Sequence, residues 1–302
     1  MTYAVTRQFN LVLSVPIIEA SWSIPLPVQP TPGPRSEQNA RGLGDISLTG
    51  RWWVRKTEDH SGGNLSLGLG VKAPTGKYDA ADEYPTLSGQ NPTVKAVDQS
   101  IQPGDGGWGA IFDIQGFKRL GKTVLVGSGT YLANPRGNNG TPSIIVGLGL
   151  QGNPSVQDKL VNSVPDQYLV RIGAAYPIGG SGLYVSGFFR AEGLPRYDLF
   201  GGSHGFRRPG YETSFEPGLT YARGPDSWSL SMPFALVRDR YPDPYTGLPG
   251  DATFPDAIVL FGYAHRFGAA HLPGGPACEF RPMPERLGAD GASGRRMLES
   301  SP

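Results

Sequence analysis

The residues best suited to chemistry in this chain are charges set at alternate positions in segments that are otherwise apolar or small. Arg51 lies in SLTGRWWV, Lys72 in LSLGLGVKAP, Asp113 in GAIFDIQGF and Arg171 in YLVRIGAAY. Arg190 and Glu192 lie in FFRAEG, and Glu212 and Glu216 in YETSFEPG. A two-residue period places all eight on the polar face of strands. Charges so placed can pair across an enclosed interior and hold it closed, because buried ions persist only when compensated. They can also stand free, line a pore and tune what passes.

Other chemical patterns fail on context. Gly201-Gly202-Ser203-His204-Gly205 fits G-x-S-x-G, but a nucleophile elbow needs a strand before it and a helix after it, and this stretch lies in a glycine-rich loop. Gly104 to Gly109 satisfies G-x-G-x-x-G, yet it precedes a strand where a dinucleotide site requires it to follow one. Asp79, Asp82, Glu83 and Asp105 carry the hard oxygens a cation takes, but read as solvated loop charge. His60, His204, His265 and His271 lack ligand spacing, and the single Cys278 permits neither an internal disulfide nor a cysteine-built zinc site. The expectation is a protein without catalytic residues, cofactor or metal, and not an enzyme.

The elements that must position the eight charges are clearest in residues 42–76, where two alternating segments flank a polar turn. Ile46, Leu48, Gly50, Trp52 and Val54 share one face of the first, and Leu65, Leu67, Leu69, Val71 and Ala73 share one face of the second. The same alternation predicts ten strands: 3–16, 44–56, 63–74, 107–118, 121–133, 166–178, 181–193, 209–223, 226–239 and 256–267. The N-terminal stretch, Arg7 followed by FNLVLSVPIIEAS, also has the outline of a signal peptide, but its alternation favours a strand. The chain is then expected to begin almost inside a strand, with any export signal upstream.

Between these strands the connections alternate. Long ones (17–43, 75–106, 134–165, 194–208, 240–255) take turns with short ones (TEDHSGG, RLGK, IGGSG, RGPDS). A soluble sandwich has no reason to keep that rhythm, whereas outer-membrane barrels join strands by short periplasmic turns and longer extracellular loops. Tyr168, Tyr176, Tyr211, Tyr221, Trp108 and Trp228 fall at strand ends on the apolar face, where aromatic girdles belong. The predicted fold is therefore an all-β, up-and-down antiparallel transmembrane β-barrel over 1–267, of ten strands or twelve with an added N-terminal hairpin. Both termini are expected on the periplasmic side. Residues 268–302, aperiodic and rich in Gly, Pro and Arg, are expected to be a disordered tail.

Composition agrees with this reading and removes others. With 44 Gly, 29 Pro and 18% charged residues in 302, the chain suits many turns and few helices, and a net charge of +1 gives no basis for binding nucleic acid. No apolar run is long enough for a transmembrane helix, which leaves a membrane barrel open.

The segments GLGDISLTGRWW, LSLGLGVKAPTGKYD and IQPGDGGWGAIFDIQGF, in this order and spacing, resemble a Gram-negative outer-membrane barrel family labelled "MetA-pathway of phenol degradation". Its members show a GLGD strand start, a G-x-K-x-P-T-G strand end and a Q-P-G-x-G segment opening the next strand. The resemblance covers roughly 1–267. It implies an outer-membrane location and passage of small, often hydrophobic or aromatic molecules, with outer-membrane lipid and a small solute as partners. Two other readings stand beside it: a structural barrel whose lumen is plugged by ion pairs, and a secreted soluble barrel that binds a ligand in an apolar interior. A barrel of this strand number is expected to have a narrow lumen, with the loops 75–106 and 134–165 folding over or into its mouth. Leu67→Arg is expected to disturb membrane assembly more than Ser66→Arg, because only Leu67 faces lipid.

Overall fold

The computed structural model describes residues 1–25, 35–57, 59–84, 92–147, 151–242 and 254–267. The chain opens with β1 (Thr2–Ala4), β2 (Phe9–Ser14), β3 (Ile17–Pro25) and β4 (Arg35–Leu43). β5 (Ser47–Trp53), β6 (Gly63–Lys72), β7 (Ala81–Tyr84), β8 (Thr93–Ala96), β9 (Gly109–Leu120) and β10 (Thr123–Ala133) follow. Then come β11 (Asn138–Pro142), β12 (Val161–Ser163), β13 (Gln167–Ile178), β14 (Leu183–Leu194) and β15 (Gly210–Arg223). β16 (Asp226–Ser231), β17 (Phe234–Arg240) and β18 (Leu260–His265) complete the order. One 12-stranded antiparallel sheet runs β1-β2-β5-β6-β9-β10-β13-β14-β15-β16-β18, with β17 beside β15. This is the wall of an up-and-down β-barrel, and among the described residues no pairing joins β18 back to β1.

Eleven strand positions stand side by side in this sheet, β17 continuing β16, where ten were expected, and the differences lie at the first and ninth expected strands. The expected strand 3–16 is instead a hairpin, with Thr2 opposite Val12 and Ala4 opposite Asn10. Thr6 makes the turn, its Oγ1 accepting from the amides of Gln8 and Phe9, a local bond that competes with a continuing strand. The ninth span breaks at Met232-Pro233 because proline brings no N–H to the ladder. β16 stops at Ser231, β17 resumes at Phe234, and the partner strand β15 slips register between Thr213 and Ser214. The tenth span is shorter than expected, strand geometry starting at Leu260, although Phe234 still bridges Ala257.

Burial fixes which face looks where. Leu67 is 52% exposed while its neighbour Ser66 is 0% exposed. The same inversion runs around the wall, with Leu48, Trp52, Ile114, Ile172, Phe189 and Leu230 outside and Asn64, Lys72, Asp113 and Glu216 buried within. A soluble barrel with an apolar interior requires the opposite. Because exposed apolar surface costs about 25 cal/mol per Å2 in water, a continuous belt of this kind fits hydrocarbon. Aromatic pairs mark its two ends: Tyr221 and Trp228 at 5.9 Å and Trp228 and Tyr263 at 5.7 Å at the short-turn end, Tyr211 and Tyr241 at 5.6 Å at the long-loop end.

The short turns are tight. Gly121 and Gly224 begin two-residue links between β9 and β10 and between β15 and β16, with φ of 59° and 58° that favour glycine. Three of the long connections carry a strand pair among their described residues: β3 with β4, β7 with β8 and β11 with β12. They pack on one another through a cluster of Ala40, Ala80, Val97 and Ile101 and a second of Tyr84, Ile144 and Phe206, with Trp22 against both. Residues 268–302, the expected tail, lie outside the described residues, as do Cys278 and His271.

Candidate functional site: ion pairs on the inner face

The register builds the first ion pair. Arg51 on β5 stands opposite Gly68 on β6, Gly68 opposite Asp113 on β9, and Asp113 opposite Thr130 on β10. Arg51 crosses β6 to meet Asp113 in a two-point contact, Nε to Oδ1 at 2.8 Å and Nη2 to Oδ2 at 3.1 Å. Thr130 Oγ1 donates to Oδ2 at 3.0 Å. Gly68 makes the crossing possible, since a Cβ there would lie 2.9 Å from Asp113 Cβ and 3.2 Å from Arg51 Cγ. The Gln115 amide, turned with its oxygen toward the guanidinium, accepts from Arg51 at 3.1 Å.

A second pair follows the same plan on the same inner face, farther along the sheet. Arg171 on β13 crosses β14 to Glu216 on β15, with Nε to Oε2 at 2.9 Å and Nη2 to Oε1 at 2.7 Å. Ser231 Oγ donates to Oε1 at 2.7 Å. The intervening side chain is Phe188, whose ring centroid lies 3.5 Å from the guanidinium carbon, so the cation is held by a π face and a carboxylate together. Further along β14, Arg190 takes its own neighbour Glu192 at 2.8 and 2.7 Å. Glu212 stands in register with Glu192 on one side and Arg238 on the other. A cavity of about 400 Å3 opens beside Arg171, Arg190, Phe188, Glu216, Ser186 and Ser231.

Arg51 and Asp113, and Arg171 and Glu216, therefore pair along the wall between strands two apart, and Arg190 and Glu192 within one strand. Side-chain reach explains this: an arginine spans one intervening strand, about 10 Å, when the middle residue is glycine or a flat ring.

Lys72 does something different. Its Nζ bonds Asp45 Oδ2 at 3.1 Å and also Asp105 Oδ1. Asp45 in turn accepts from the amides of Gly76 at 2.9 Å and Asp105 at 3.1 Å. Thr75 Oγ1 accepts from the Ile46 amide and donates to the Gly44 carbonyl. GLGD, KAPTG and QPGDG thus converge on one knot that ties residues 75–106 to the rim of β5 and β6. Asp45, two residues before β5, belongs to this knot. Burial raises the Asp105 carboxyl above its ordinary range, and Lys72 and the Gly107 amide offset only part of that rise.

Three further carboxylates carry the loop layer, and spacing singled out none of them because most of their partners lie 30 or more residues away in the chain. Asp166 accepts from Tyr131 Oη at 2.7 Å, from the Asn134 amide at 2.6 Å and from the Leu199 amide at 2.7 Å. Asp198 takes Arg207 at 2.9 and 2.7 Å. Asp98, 110 residues from Arg208, holds it at 2.6 and 2.8 Å and accepts from the Ser100 amide. Burial pushes the Asp98 carboxyl up, but Arg208 and Ser100 outweigh it and the net is downward.

Ser203 and Asp82, from the patterns set aside in the sequence, make hydrogen bonds in the loop layer. Ser203 Oγ accepts from the Asp198 amide, and the stretch runs on without a helix into β15, so no nucleophile elbow forms. Asp82 caps the Asn39 and Glu83 amides, and among the described residues no three His, Cys, Asp or Glu side chains gather as a metal site.

The inverted burial and the up-and-down meander define the fold of an outer-membrane barrel. A solved outer membrane channel from Pseudomonas putida F1 is similar to it, with a TM-score of 0.50 and 14% identity over 87% of this chain and 79% of that one. At that identity the likeness is one of fold. No family model and no curated protein sequence matches the chain.

Proposed function

We propose that this chain is an outer-membrane β-barrel that passes small molecules along its polar inner face. The observation that carries the reading is the inversion of the wall, exemplified by exposed Leu67 beside buried Ser66. The short turns then face the periplasm and the loop layer faces outward, as in barrels of this architecture. Arg51, Lys72, Asp113, Arg171, Arg190, Glu192, Glu212 and Glu216 are the lumen candidates, Lys72 standing at the rim. The resemblance of the three motifs to the phenol-pathway family supports small hydrophobic or aromatic solutes as the cargo.

The ion pairs themselves favour a second reading, a structural barrel whose interior is filled by its own charges. Single-channel recording on purified protein in planar bilayers separates the two. Discrete conductance, or uptake of small aromatic solutes into proteoliposomes, supports passage. A silent bilayer together with impermeable liposomes assigns the structural role.

A further inference from the structure

The loop between β14 and β15 carries Arg196, Tyr197, Asp198, Leu199 and Phe200 on a rigid frame. Asp198 is clamped by Arg207 and also accepts from the Asp166 amide at 2.9 Å, while the Leu199 amide donates to Asp166. Gly201, at φ +88°, presses on Pro135, where a Cβ would lie 2.3 Å from the carbonyl oxygen. The segment is thereby laid over the end of β13 and onto the end of β10. On that frame Tyr197 is 56%, Leu199 58% and Phe200 53% exposed. Below it runs the outward column of the belt: Tyr131, which shares Asp166, stands in register with Tyr168, followed by exposed Val170 and Ile172.

Arg196 supplies a charge to this apolar patch. Its guanidinium lies 5.3 Å from the Tyr197 ring centroid. Among the described residues it has no carboxylate partner, and its buried Nε has no hydrogen bond. A cation without a counter-ion beside three large apolar side chains, continuous with a lipid-facing belt, has the composition of a membrane-interface anchor.

We infer that residues 196–200 are a lipid anchor: Tyr197, Leu199 and Phe200 enter the acyl boundary of the leaflet at the long-loop end, and Arg196 binds a lipid phosphate there. This rests on the membrane reading above. The test uses the full chain with Cys278→Ser and a single nitroxide-labelled cysteine, at Phe200→Cys or, for reference, Leu67→Cys, in phosphatidylcholine vesicles containing lipid A. Both labels are expected to be open to oxygen and closed to a water-soluble nickel chelate. A water-accessible label at 200 beside a lipid-buried one at 67 overturns the anchor and leaves the membrane reading intact. A label at 200 closed to both reagents places a protein partner or second copy there and also overturns it. A water-accessible label at 67 overturns the membrane reading itself, and the anchor with it. For the phosphate, Arg196→Gln is expected to lower co-purified lipid A about fivefold, the scale of one basic residue at an anionic surface, with Arg196→Lys retaining most of it. Undiminished lipid A on Arg196→Gln overturns the role of Arg196.

Discussion

Arg171 reaches Glu216 across β14 by lying over the ring of Phe188, 3.5 Å from its centroid. The pair joins β13 to β15 without using a backbone hydrogen bond, so it stiffens the wall in the direction where each strand otherwise holds only its neighbours. It also keeps a guanidinium on the inner face while cancelling its charge.

Removing that cancellation should change selectivity. In Glu216→Gln the Arg171 charge loses its counter-ion and the lumen gains a positive charge. The reversal potential in a salt gradient is expected to move toward anion preference, and Arg171→Gln should move it the opposite way. Identical reversal potentials in both variants and the parent would show that these residues do not line the conducting path.

Gly68 is the gap through which Arg51 meets Asp113. A side chain there collides with both, so Gly68→Val is expected to destabilise the barrel by about 1–3 kcal/mol through overpacking. Heat-modifiable mobility on gels, read as the temperature at which the folded band is lost, reports this. Gly127 has nothing within 4 Å of a Cβ, so Gly127→Ala is the control expected to leave that temperature unchanged.

Leu67→Arg puts a charge into the exposed belt near the middle of β6, at about 2–4 kcal/mol if that face meets the bilayer core. Ser66 is a poor comparison because it is fully buried and has no room for arginine. Ser128, half-buried on the inner face opposite Gln115 and Arg171, is the better one. Folded protein recovered in outer membranes should fall sharply for Leu67→Arg and little for Ser128→Arg, and equal recovery would contradict the assignment of faces.

The Asp98 to Arg208 contact predicts how the loop layer responds to acid. A carboxyl whose pKa is lowered by folding contributes stability that is complete above its unfolded value, near 4, and is lost as pH falls through the folded value. Hydrogen exchange in 93–101 should therefore stay slow from neutral pH down to about 4 and rise below it. Asp98→Asn weakens the two-point contact with Arg208 and should speed exchange at neutral pH. Unchanged exchange in that variant would mean the contact does not hold the layer.

Alternation alone determined the two faces of each span, because strand side chains point to opposite sides whatever the rest of the chain does. Hence the opposed faces of Leu67 and Ser66 were legible from spacing. The loop rhythm gave the order of spans for a similar local reason, since turn residues such as Gly121 and Gly224 act within two or three positions. The tertiary structure decided which charge meets which. Arg51 and Asp113 are 62 residues apart, and Asp98 and Arg208 are 110 apart, and only register and strand order bring them together. It also decided where alternation misleads: the hairpin at Thr6 and the break at Pro233 keep an alternating pattern while the backbone leaves the ladder. The three recognisable motifs sit between these cases, their residues evident in the sequence but their purpose, one knot around Asp45, Lys72 and Asp105, visible only when the loops are folded.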